Sequence, residues 1–90
     1  RFSNAQDITV DNKKNIYIVD NISRYVTVFN SYGDFFKKVG YGQDSSKIMT
    51  EPVAATVDQN GVLYVCDRLG GGIYRFRLSN ELNEDIIQED

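Results

Sequence analysis

The sequence contains no histidine and no tryptophan, and it has one cysteine, one proline and one methionine among 90 residues. Without histidine, these residues supply no imidazole base, no Ser–His or Cys–His dyad and no imidazole metal ligand. The lone Cys66 excludes an internal disulfide and a cysteine-rich zinc site. No apolar run approaches the ~20 residues that a spanning helix needs, and the first residues show no signal-peptide pattern. Charge of either sign is modest: 10 Lys+Arg stand against 13 Asp+Glu, a net −3. Five of those acids (Glu81, Glu84, Asp85, Glu89 and Asp90) crowd into residues 81–90. What precedes them carries ten bases against eight acids, a slightly basic body with an acidic tail. Lys13-Lys14 and Lys37-Lys38 are isolated basic pairs. They form no stripe of the kind that tracks a phosphate backbone, so nucleic acid is not the expected partner.

What is present is a repeat. Shifting the chain by 47 positions aligns residues 1–33 with 48–80 without a gap. Thr9-Val10-Asp11 falls on Thr56-Val57-Asp58, Tyr17 on Tyr64, Asp20 on Asp67 and Phe29 on Phe76. Apolar matches fill the intervals: Ile16 with Leu63, Ile18 with Val65, Val19 with Cys66, Val26 with Ile73. Self-similarity at such a period is the signature of a repeat architecture.

Each unit reads as a series of short strands. Residues 7–10 end apolar and are followed by a string of turn formers, residues 11–15, and the second copy carries Asn60-Gly61, a hairpin signal because both residues tolerate positive φ. Ile16-Tyr17-Ile18-Val19 is apolar on both faces and needs cover on both. Residues 25–29 are rich in β-branched and aromatic side chains, which suit a strand. Residues 35–39 (Phe-Phe-Lys-Lys-Val) give a fourth, more polar and therefore more exposed strand. No segment sustains a helical period, although the tail has room for a turn or two. Four antiparallel strands with a polar outer one describe a propeller blade. The expected fold class is all-β: two four-stranded antiparallel blades, residues 1–40 and 41–80, the second with its inner strand from about residue 52. Residues 81–90 are then an acidic tail or an outer strand.

Pro52 through Asp67 resembles the NHL repeat. It has a Pro-led inner strand, a Val-Asp-x-x-Gly hairpin, and the aromatic-centred strand Leu63-Tyr64-Val65-Cys66-Asp67. A polar loop and an Ile-x-x-Phe strand follow at Ile73 and Phe76. The first unit keeps this order through Val10-Asp11, residues 16–20 and residues 26–29. It departs where Ala5 replaces the Pro and Lys14 the hairpin Gly, and the period is slightly long. The resemblance implies blades of a six-bladed propeller, a type used as a binding platform and also found in lyases and calcium-dependent hydrolases.

Two blades leave two apolar faces in need of cover, since stacked repeats are stabilised by their neighbours. Further blades of a longer chain, or a homotrimer closing a six-bladed ring, are the two ways to supply it. Arg1 at the start and polar Asp90 at the end favour the longer chain.

On the propeller mapping, residues 20–24, 67–72 and 41–51 form one rim. The binding candidates are Arg24, Arg68, Asp20, Asp67, Tyr41 and Gln43, with the arginines suited to an anionic ligand or a partner's carboxylates. Asp11, Asp58, Asp20 and Asp67 invite a calcium reading. Their placement at strand ends favours bonds to nearby backbone amides, so no cofactor or metal is expected. Gly70-Gly71-Gly72 precedes a strand rather than a helix and is no phosphate cradle. Cys66, aligned with Val19, is expected to be a small buried hydrophobe. Arg75 in the place of Val28 is the clearest difference between units. The expected function is a non-catalytic binding module presenting rim loops to a protein or small ligand. The alternative is part of a propeller enzyme whose active site lies elsewhere, and RNA binding ranks last.

Overall fold

The computed structural model describes residues 2, 4–40, 48–70 and 72–78, together with the backbone of 86–89. Eight strands follow one another: β1 (Ala5–Val10), β2 (Ile16–Asp20), β3 (Tyr25–Phe29), β4 (Phe35–Val39), β5 (Pro52–Val57), β6 (Val62–Asp67), β7 (Gly72–Arg77) and β8 (Ile86–Glu89). They build two four-stranded sheets, ordered β1-β2-β3-β4 and β5-β6-β7-β8, and every pairing is antiparallel. No helix occurs among the described residues. The chain is thus all-β, as its alternation and turn residues predict. Ile86–Glu89 of the acidic tail pairs with β7 as the outermost strand.

Three hairpins share one construction. The β1–β2, β3–β4 and β5–β6 turns start at Asp11, Asn30 and Asp58. In each, the starting side chain's Oδ1 accepts the amide hydrogens two and four residues on, at 2.9–3.0 Å. The fourth residue of each turn adopts positive φ: Lys14 at 70°, Gly33 at 87° and Gly61 at 82°. Asp and Asn initiate such turns because their short acceptors reach the next amides. In the second unit only Gly61, not Asn60, takes positive φ. The Asn-Gly pair therefore makes a turn with a single left-handed residue rather than one with two. Lys14 adopts the conformation that glycine supplies in the other unit.

The register repeats at the same offset. β1 pairs with β2 through Ile8↔Ile18, Thr9↔Tyr17 and Val10↔Ile16, and β5 with β6 through Ala55↔Val65, Thr56↔Tyr64 and Val57↔Leu63. Both edges carry an irregularity at the strand start, between Ala5 and Asp7 and between Pro52 and Ala54. Proline is tolerated there because it opens an edge strand.

The sheets stack with opposite faces. Side chains alternate along a strand, so Tyr17, Val19, Val26, Val28 and Val39 share one face of the first sheet. That face meets Leu63, Val65, Tyr74 and Phe76 of the second, and together with Met49 they form the buried core. The Ala55 amide donates to Asp7 across the junction at 2.9 Å, and Asn12 Nδ2 reaches the Gln59 carbonyl at 3.4 Å. Equivalent hairpins therefore lie side by side at one end of the molecule.

Each sheet keeps one face outside this core. On the first sheet it bears Ile16 and Ile18, half-buried, with Ile8, Val10 and Phe35 exposed. Phe29 packs edge-on against both Phe2 and Phe35 on that side. On the second sheet it bears Tyr64, Cys66, Ile73, Arg75 and Arg77. Two expectations are corrected here. Cys66 is exposed, not buried, because among the described residues no sheet packs on the face equivalent to that of Val19. Lys37 is fully buried although its strand reads as polar. Alternation places Lys37 and Val39 on the core-facing side and Lys38 on the other, while Phe35 and Phe36, beside the register shift in the β3–β4 pairing, are both exposed. The Lys37 ammonium lies 5.8 Å from the Phe36 ring centre.

Candidate functional site

The turns from β2 to β3 and from β6 to β7 stand at the end opposite the paired hairpins. Each opens on an aspartate that ends the preceding strand. Asp20 is 1% exposed and accepts the amides of Asn4, Ile22 and Ser23, all at 3.0 Å. Asp67 is 3% exposed and accepts those of Thr50, Glu51 and Gly70 at 2.6–2.9 Å. Both carboxylates thus clamp the turn to the chain entering the sheet's first strand. A backbone bond runs parallel to each clamp, from Asn21 to the Asn4 carbonyl and from Arg68 to the Glu51 carbonyl. A buried carboxylate must be compensated in this way, and three amide donors do so. Asp20 and Asp67 consequently position the rim rather than face a ligand.

Arg24 closes the first turn. Its amide donates to the Asp20 carbonyl at 3.0 Å, its φ is 68°, and its side chain is exposed. Arg68 is 65% exposed and forms an ion pair with the less exposed Glu51. Tyr41 and Gln43 lie outside the described residues. The structure therefore places each arginine in a turn that a buried aspartate opens, both turns at the end opposite the paired hairpins.

Sequence reading missed two residues on this rim. Ile22 and Leu69 align at the 47-residue offset, and each stands at the tip of its turn, 59% and 66% exposed. The signal was an apolar residue kept in an otherwise polar turn in both units. A tip anchored by a buried carboxylate holds such a side chain in solvent at little further entropy cost on contact.

Asp11 and Asp58 lie at the far ends of β2 and β6, away from Asp20 and Asp67. Burial tends to raise the Asp11 pKa. Donation from the Asn15 amide and side chain, the Tyr17 hydroxyl and the Lys13 amide outweighs it and holds the carboxyl below its ordinary value. Asp58 is lowered chiefly by the Val62 amide, with Tyr64, Asn60 and Gly61 helping against a smaller burial effect. Both carboxylates serve their turns. No group of three or more potential metal ligands occurs among the described residues. A shallow cleft of about 250 Å³ lies between the paired hairpins, lined by Asn12, Lys13, Phe36, Gln59, Asn60 and Leu78 among others. It holds none of the rim candidates.

No helix among the described residues is long and apolar enough to cross a membrane. Comparison with protein-family models and with curated proteins finds no match to this chain.

Proposed function

We propose that the chain is a pair of NHL-like propeller blades acting as a non-catalytic binding module, and that its rim turns engage a protein or peptide with apolar side chains beside carboxylates. The observation that carries the reading is the twofold presentation of Ile22 with Arg24 and Leu69 with Arg68, each on a turn braced by a buried aspartate. Exposed apolar side chains set among arginines are the composition of a recognition surface rather than of a solvated loop. The blade assignment is supported by the repeat itself. Hairpin bonds, strand-start irregularities and aspartate clamps recur at one offset in two sheets that stack face to opposite face.

The test is selection of peptides from a displayed random library on the immobilised chain. Enriched peptides should combine acidic and apolar residues, and Ile22→Ser with Leu69→Ser should weaken them about tenfold, a loss near 1.4 kcal/mol. Peptides that bind the doubly substituted chain equally well would place recognition elsewhere.

A further inference from the structure

The contact between the two sheets contains the plan of a second one. It joins the Tyr17–Val19 face of one sheet to the Leu63–Val65 face of the next. Outside that junction the described residues carry a second copy of each surface. Ile16 and Ile18 are the counterparts of Leu63 and Val65, and Tyr64 and Cys66 are the counterparts of Tyr17 and Val19. We propose that these two faces meet between separate copies, so that the chain associates head to tail, the outer face of β6–β7 in one copy covering the outer face of β1–β2 in the next.

The residue types fit a contact between copies rather than a buried core. Arg75 stands where Val28 lies in the internal junction, with Arg77 two residues on and Ile73 exposed beside them. The face that would receive them holds the Phe2, Phe29 and Phe35 cluster together with exposed Ile8 and Val10. Arginine opposite aromatic rings is a favourable pairing, and both are enriched where separately folded chains meet. The first sheet's face displays the phenylalanine cluster, Ile8 and Val10, with exposed Lys38 over the Tyr25 ring at one side, whereas the second's carries exposed Ile73 and Arg77. As in the internal junction, the two surfaces that meet are opposite faces of the sheet. The contact is therefore heterologous: every copy has one donor face and one acceptor face, and association continues until a ring closes. The rim turns take no part, so this association stands or falls independently of ligand recognition.

The test is light scattering of the 90-residue chain across a dilution series, with Cys66 as a reporter on the donor face. The mass should be a multiple of 10.3 kDa at high concentration and fall on dilution. The Cys66 thiol should react about tenfold more slowly in the associated form, because its access is closed. Ile8→Lys sets a cation against the arginines and Ile73→Glu sets a carboxylate against the aromatic cluster, so each spoils one exposed face and each variant alone should stay folded and monomeric. Mixed, they should form a dimer containing one of each, joined through the two intact faces. A folded monomer at every concentration overturns the proposal. Association that survives both substitutions, or variants that fail to pair when mixed, overturns the head-to-tail arrangement.

Discussion

The hydroxyl of Tyr17 donates to Asp11 across 2.8 Å, tying the middle of β2 to the turn that precedes it. Tyr64 donates to Asp58 at 3.0 Å in the second sheet. The same carboxylates accept two backbone amides within the turn, so one side chain fixes the hairpin and the tyrosine rotamer together.

Removing the hydroxyl should therefore matter most where burial is greatest. Tyr17 is 3% exposed and Tyr64 only half-buried. Tyr17→Phe is expected to lower stability by about 1 kcal/mol, the net worth of an ordinary hydrogen bond. Tyr64→Phe should cost less, because water replaces the lost partner. Urea denaturation of the two variants side by side provides the comparison. Equal losses would show that burial does not set the value of this bond.

Acid sensitivity follows from the same turns. Asp11 and Asp58 are held below the ordinary carboxyl value of 3.8. The unfolded chain consequently takes up protons first as pH falls. The stability these groups contribute is complete above 3.8 and is lost as pH drops through the lower folded values. Asp11→Asn keeps an acceptor oxygen but no longer titrates. Its denaturation midpoint is expected to fall less steeply with pH in that window than that of the unaltered chain. Parallel curves for the two proteins would remove Asp11 from the acid response.

Much of this architecture can be read directly from the amino acids. Strand positions follow from alternation and from turn formers at Asp11, Asn30 and Asp58, and the repeat announces itself through Asp20 and Asp67. Which face is covered cannot be read from one strand. Val19 and Cys66 occupy equivalent places, yet one is fully buried and the other exposed, because a neighbouring sheet decides the matter. Lys37 misleads for a related reason: its charge suggests solvent, while the two-residue period of β4 turns it inward beside Val39. The turns that Asp20 and Asp67 open follow from the order of strands. The apolar tips of those turns are not legible in this way, because Ile22 and Leu69 sit where an aliphatic side chain has no strand pattern to belong to.

The aspartate clamps should be the costliest polar groups to remove. Asp20→Ala leaves the amides of Asn4, Ile22 and Ser23 without their acceptor. These amides are part-buried, so each costs nearer the low end of the about 1–3 kcal/mol of an unsatisfied buried donor, and the three together cost on the order of 3 kcal/mol. Asp67→Ala does the same to Thr50, Glu51 and Gly70. Amide hydrogen exchange is the informative measurement. Protection should vanish first at those three amides in each variant and persist at the equivalent amides of the other sheet. Uniform loss through both sheets would mean that the clamps act on global stability alone.

Lys14 and Gly61 occupy the same place in equivalent hairpins, with φ of 70° and 82°. A side chain pays about 1–2 kcal/mol to enter this region, whereas glycine enters freely and instead surrenders more entropy on folding. Lys14→Gly relieves the first cost and incurs part of the second, for a net gain of about 0.5 kcal/mol. Gly61→Ala runs the other way. Space is open around its Cβ position, so the expected loss of about 1 kcal/mol comes from backbone conformation alone. Thermal denaturation of the two variants should shift the midpoint in opposite directions. A destabilised Lys14→Gly chain would show instead that the Lys14 side chain makes a contact worth more than the strain it accepts.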